Sequence, residues 1–200
     1  MQKRANAVTF KGNPLTLVGP QLKVGDKAPE FACATSALEV LTLAKTPAKT
    51  RLFSVVPSLD TPVCSEQTKK FEQGVAALKD KIASYTISLD TPFAQKRFCS
   101  AENISSMQTL SDTHNQSFGQ NYGVLIEGLP IPLLSRSIFV VDKNGKLTYV
   151  EYVPEVTQHP NYDNAVAALK AAAGKGTFRA LETRFLPGTR VSHFIPGKLL

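Results

Sequence analysis

Apolar positions change their period several times along the chain, and each change marks an element. In AVTFKGNPLTLVG two short β-rich runs flank Gly12-Asn13-Pro14, which predicts a hairpin. A loop, VGDKAPEF, follows. Residues Leu52–Val56 form a continuous apolar run bounded by charge and proline, as a strand buried on both faces would. In the next stretch Phe71, Val75 and Leu78 recur at helical spacing with Cys64 and Gln67 on the same stripe, which predicts a helix from TPVC onward. YTISLD reads as a second strand and TPFAQKRFCSAENI as a second helix. SDTHNQSFGQNYG predicts a short helix ending near Gly123, and SIFVVDKNGKLTYVEYV a hairpin turning at Asn144-Gly145. A last helix starts at the cap candidates of NYDN, carries Val166 and Leu169, and stops at Gly174. Alternating strand–helix units closed by a hairpin and a helix predict an α/β sandwich. Its mixed central sheet has helices on both faces, with the N-terminal hairpin in front of it.

Beyond Gly174 no period is sustained and two Pro-Gly pairs interrupt the chain, so residues 1–173 read as one domain and 174–200 as a C-terminal extension of unassigned role. The composition, 42% hydrophobic and 20% charged over 200 residues, is that of an ordinary globular protein. A net charge of +7 raises the question of a polyanionic partner. The extension answers much of it, because Lys175, Arg179, Arg184, Arg190 and Lys198 stand there against Glu182 alone. No zinc-finger spacing or aromatic RNA-binding stretch accompanies the charge, so no nucleic-acid partner is expected. No apolar run reaches membrane-spanning length, and the basic start MQKRANAVTFKGN lacks an apolar stretch behind it. The expectation is a soluble, unexported, cytoplasmic protein without a membrane partner.

Cys33, Cys64 and Cys99 are too widely spaced for a CxxC motif, and His114, His159 and His193 are isolated, so no metal site is expected. The absence of GxGxxG and GxxxxGK[ST] patterns argues against a bound nucleotide cofactor. One internal echo stands out: Ser58-Leu59-Asp60-Thr61-Pro62 recurs as Ser88-Leu89-Asp90-Thr91-Pro92, each copy between a strand and a helix. Threonine is the natural N-cap and proline the natural first helical residue. Cys64 is then the third residue of its helix, and the second copy carries Ala94 there. Unsatisfied N–H groups and the helix dipole favour thiolate at that place, and the expected pKa lies below the ~8.5 of a free cysteine. On placement alone Cys64 is equally a small buried hydrophobe.

The run LFSVVPSLDTPVCS, the downstream PFAQKRFC and the start VTFKGNPLTLVG together resemble the peroxiredoxins, in their thiol peroxidase branch with two working cysteines, across roughly residues 8–173. The resemblance implies a thioredoxin-like fold and a thiol-dependent peroxidase acting on alkyl or lipid hydroperoxides and hydrogen peroxide. It implies that Cys64 is the peroxidatic nucleophile, Thr61 a hydroxyl beside the sulfur and peroxide, and Pro57 a shield against water. It makes Arg136 the charge that keeps the sulfur ionised and bonds the peroxide, the alternative being a strand-edge surface charge. Cys99 matches the resolving cysteine, which traps the sulfenic acid as an intramolecular disulfide before further oxidation. Because each cysteine sits inside a helix, the two are expected to stand beyond disulfide range in the reduced fold, so that helix ends unwind during the cycle. Cys33 matches no family cysteine and reads as structural. The resemblance further implies a homodimer, no bound cofactor, and recycling by thioredoxin, itself reduced through NADPH. A redox sensor using the same pair without turnover is the alternative. The extension departs from the family pattern, and cutting after Gly174 is expected to leave turnover intact.

Overall fold

The computed structural model describes residues 1–174. The chain begins with the expected hairpin, β1 (Lys3–Phe10) and β2 (Asn13–Val18), turning at Lys11-Gly12, where both residues have positive φ. Two short strands, β3 (Ala32–Ala34) and β4 (Val40–Thr42), precede the buried strand β5 (Thr50–Val55). Helix α1 (Pro62–Val75) and strand β6 (Ile82–Ser88) follow, then helix α2 (Pro92–Ala101) and strand β7 (Gln108–Ser111). The short helix α3 (Ser117–Asn121) leads to β8 (Leu125–Glu127) and β9 (Leu133–Leu134). The second predicted hairpin is β10 (Ser137–Val141) with β11 (Leu147–Tyr152), and α4 (Tyr162–Gly174) ends the described chain. Residues 175–200, and with them nearly all of the predicted extension, lie outside the described residues.

Seven strands form the central sheet in the order β11-β10-β5-β6-β7-β3-β4, parallel through β5, β6 and β7 and antiparallel elsewhere. Its two faces are written in alternate residues. Leu52, Ile138 and Val140 face Phe71 and Val75 of α1 and Ala165 and Leu169 of α4, whereas Phe53, Phe139 and Val141 face Phe118 of α3 and the aromatic cluster around Tyr122. Burial on both sides is why β5 and β10 carry apolar residues at adjacent positions, Leu52-Phe53 and Ile138–Val141, rather than at alternate ones.

The predicted mixed sheet with helices on both faces is therefore present. The N-terminal hairpin has an additional role: it heads a second sheet, β1-β2-β8-β9, whose apolar side holds Val8, Leu17 and Ile126 with Val156. Strands β3, β4, β7, β8 and β9 span only two to four residues, too short for a sequence period to show. No helix among the described residues is long and apolar enough to cross a membrane.

Candidate active site

Strand β5 carries the chain to the loop that opens α1. Val56 extends the ladder by donating to the Ile87 carbonyl at 3.0 Å, and Pro57, which has no N–H to give, lets the chain leave the sheet. Thr61 is the N-cap residue and Pro62 the first helical residue, as the pattern predicts, so Cys64 lies in the first turn of α1. Its side chain is wholly buried, in a small cluster with Val56, Leu59 and Phe98.

The two copies of the SLDTP echo differ at the cap. Thr91 closes its helix in the usual way, its hydroxyl accepting from the Ala94 N–H at 3.3 Å. The Thr61 hydroxyl instead donates to the Ser58 carbonyl at 3.0 Å and makes no capping bond. Its proton is committed to Ser58, which leaves the lone pairs of the hydroxyl as its free valence. The consequence is an open helix end: first-turn N–H groups have no intrahelical partner, and at α1 the cap side chain supplies none.

Arg136 enters from the segment between β9 and β10 and is 2% exposed, so it is not a surface charge at a strand edge. Each guanidinium nitrogen has its own acceptor. Nε donates to the Val156 carbonyl at 3.0 Å, Nη1 to Gln67 Oε1 at 2.7 Å, and Nη2 to Cys64 Sγ at 3.4 Å. Gln67 is buried one turn below Cys64 and fixes its own amide by donating from Nε2 to Ser54 Oγ at 2.8 Å. The sequence reading placed Gln67 on the apolar stripe of α1 without assigning it work. The available signal was an amide on a buried stripe, where its polar atoms require partners.

Pro57, Thr61 and Arg136 line one cavity of about 490 Å³ with Pro62 and Val63 of the first turn of α1, while Cys64 itself is buried and not in its wall. Its other walls are mainly apolar: Phe10 and Leu15 from the N-terminal hairpin, Ile126 and Leu133 from the second sheet, and Leu129 and Ile131 from the loop between β8 and β9. The structure thus brings four of the five predicted residues together.

Cys99 is apart from them. It lies near the end of α2, touches the Cys64 cluster from the side, and borders a different cavity with Lys96, Ile104 and Gln108. Its Sγ is 3.8 Å from Thr109 Oγ1, and burial pushes its thiol pKa up. All three cysteines are free thiols, Cys64 and Cys99 each within a helix. Cys33 is buried in β3 and donates to Asp112 at 3.5 Å; burial, reinforced by the Asp112 charge, pushes its thiol far up. That is the inert thiol the sequence suggested. Among the described residues no group of three potential metal ligands occurs.

Residues 23–166 match the Redoxin family. The chain is 51% identical over 164 residues to the thiol peroxidase of Bacillus subtilis, a match spanning 82% of this chain and 96% of that one. It is 52% identical over 165 residues to the thiol peroxidase of Listeria monocytogenes EGD-e, spanning 82% and 98%. Among solved structures, the peroxiredoxin-like protein of Aquifex aeolicus superposes with a TM-score of 0.78 at 44% identity, covering 84% of this chain and 98% of that one. The arginine-bound cysteine at an open helix end thus lies in a scaffold shared with these proteins, and the chain belongs to the Redoxin family, among its thiol peroxidases.

Proposed function

We propose that the chain is a thiol-dependent peroxidase in which Cys64 reduces hydroperoxides and Cys99 resolves the product. The observation that carries this reading is the 3.4 Å bond from Arg136 Nη2 to Cys64 Sγ at an uncapped helix N-terminus beside an apolar cavity. A thiolate at Cys64 matches the buried guanidinium in charge and lies at the positive end of α1.

The Cys64 thiolate attacks the distal oxygen of a hydroperoxide. The S–O bond forms as the O–O bond breaks, sulfur is oxidised, and the peroxide's own proton leaves with the proximal oxygen as alcohol or water. Arg136 and the open first-turn N–H groups hold the oxygens while negative charge passes between them. Because the Thr61 proton is held by Ser58, the hydroxyl presents lone pairs, suited to accept from the peroxide O–H. Pro57 closes the floor against bulk water. After the sulfenate takes a proton from solvent, the Cys99 thiol displaces water and the disulfide forms. Both partners are locked in helices, so the first turn of α1 and the end of α2 unwind for this step. Thioredoxin, recycled through NADPH, is the reductant we propose, acting on a cytoplasmic homodimer that carries no bound cofactor.

The decisive assay is peroxide-dependent NADPH oxidation with thioredoxin and its reductase. Wild type is expected to turn over many times, Cys64→Ser to lose activity, and Cys99→Ser to lose thioredoxin-coupled turnover after one oxidation. Undiminished activity in Cys64→Ser overturns the proposal, and a single oxidation without turnover in wild type selects the sensor reading instead.

A further inference from the structure

The echo between the two SLDTP segments is more than a repeated turn. Its second copy holds the first. Asp90 turns its carboxylate onto the loop of Cys64: Oδ1 accepts from Ser58 Oγ at 2.7 Å and Oδ2 from the Leu59 N–H at 2.7 Å. Oδ2 also accepts from its own neighbour Ser88 Oγ at 2.8 Å, and Ser111 Oγ secures the Asp90 carbonyl at 2.6 Å. The counterpart in the first copy does nothing comparable. Asp60 faces solvent and meets Arg97 at 3.3 Å, both side chains well exposed, a geometry of little energetic weight.

The residue held by Asp90 is the one that sets Thr61. Ser58 offers its carbonyl to the Thr61 hydroxyl at 3.0 Å and to the Thr61 N–H at 3.2 Å. That carbonyl draws the Thr61 side chain away from the cap and leaves the helix end open. Charge-assisted bonds to a carboxylate are about twice as strong as neutral ones, and here they fix Ser58, whose carbonyl holds the Thr61 hydroxyl, together with its neighbour Leu59.

We propose that Asp90 is a positioning residue for peroxide reduction. It acts through Ser58 to keep the Thr61 hydroxyl turned from the α1 cap, so that the first-turn N–H groups and the hydroxyl lone pairs face the peroxide. With Asp90 absent, Thr61 is free to cap α1 as Thr91 caps α2, closing the end that the peroxide needs. The duplicated turn thus divides its labour: one copy supplies the nucleophile, the other its brace. This inference rests on the peroxidase reading above.

Two rates measured on the full reduced chain separate the possibilities: oxidation of Cys64 by hydrogen peroxide, and alkylation of Cys64 by iodoacetamide followed on its own peptide. Alkylation needs an accessible sulfur but not Thr61. For Asp90→Ala we expect peroxide oxidation to slow by roughly 10–100-fold, up to the scale of a misplaced rather than a missing group, with alkylation within about threefold of wild type. Ser58→Ala, which removes one of the bonds to the Asp90 carboxylate and the long bond from the Asp60 N–H to the same hydroxyl oxygen, is expected to fall between, and the double variant to be no slower than Asp90→Ala, because both act through one link. Asp60→Asn is expected to match wild type. If Asp90→Ala does not fold, Asp90→Asn and Ser58→Ala carry the same comparison. Wild-type peroxide rates in the folded Asp90 and Ser58 variants overturn the proposal, as does an equal change in both rates, which marks a general disturbance of the loop. A wild-type chain whose Cys64 does not react with peroxide overturns the peroxidase reading beneath it.

Discussion

At the scale of single residues, the site depends on fork geometry as much as on charge. Arg136 fills three acceptors in three directions, Val156, Gln67 and Cys64. A lysine keeps the charge and cannot serve all three. Arg136→Lys is therefore expected to lower the rate of peroxide reduction by about 10²–10³, the usual cost of removing an aligned donor from a developing anion. Stopped-flow oxidation of Cys64 checks this, and a loss under tenfold contradicts it. Cys33 gives the opposite expectation. Its thiol is buried and bonded to Asp112, so one equivalent of peroxide followed by alkylation and mass analysis should find a Cys64–Cys99 disulfide with Cys33 untouched once the protein is unfolded. Loss of the Cys33 thiol alongside the others requires a different scheme.

At the scale of elements, the bonds that matter tie one element to the next. Glu72 on α1 accepts from the N–H groups of Ser105, Ser106 and Met107 at 2.9, 2.7 and 2.9 Å, and Lys69 pairs with Glu102 at 3.1 Å. Burial pushes the Glu72 carboxyl up, but these backbone bonds outweigh it and hold its pKa below the ordinary value. Together they clamp the helix of Cys64 to the segment that ends the helix of Cys99. Removing the clamp with Glu72→Ala should release the end of α2, since local opening is governed by such bonds. A bond to a charged group is worth about 1.5–3 kcal/mol, less for a carboxylate partly open to water, so disulfide formation after one equivalent of peroxide is expected to quicken by about tenfold or more. Quenched-flow alkylation measures it, and an unchanged or slower rate counts against unwinding of α2 as the limiting motion.

A second clasp joins the N-terminal hairpin to the segment that holds Arg136. Glu155 accepts from Thr9 Oγ1 at 2.6 Å and from the N–H groups of Lys11 and Gly12 at 2.9 and 3.1 Å, while its neighbour Val156 receives Arg136 Nε. The Thr9 bond first, then those from Thr157, Gly12 and Lys11, pull its pKa from 4.5 to about 2. A carboxylate whose pKa falls on folding adds stability above its unfolded value, and that stability is lost as pH drops through the folded one. The clasp should therefore be at full strength above about pH 5 and disappear toward pH 2. Urea midpoints of wild type and Glu155→Gln are expected to differ at neutral pH and to converge at the acid end; a constant difference contradicts the assignment.

At the scale of the molecule, α4 packs on α1, β5 and β10 and completes the face of the sheet behind the site. All of α4 lies before residue 175, so a chain cut after Gly174 is expected to keep its thermal midpoint and turnover. A midpoint lowered by more than a few degrees would make the C-terminal extension part of the fold. The central strands, the helices and both hairpins were legible in the sequence because each is long enough to show a period, or turns at glycine, proline or asparagine in recognisable order. Strands β3, β4, β7, β8 and β9 were not, since a strand of two to four residues is defined by what pairs with it rather than by its own pattern. Cys64 at the start of its helix was legible for a local reason, the Thr-Pro that opens the turn. Sequence by itself determined the alternation of elements, the double-sided burial of β5, and the place of a cysteine at a helix N-terminus, all of them matters of near-neighbour sterics and solvation. Only the tertiary structure decided that Gln67 orients Arg136 toward the sulfur, that Asp90 reaches across to Ser58, and that Thr61 leaves its helix uncapped. The first two contacts join residues far apart in the chain, and a hydrogen bond across folded space leaves no period in the sequence; the third is a choice between two local acceptors that the same Thr-Pro sequence makes differently at Thr61 and Thr91.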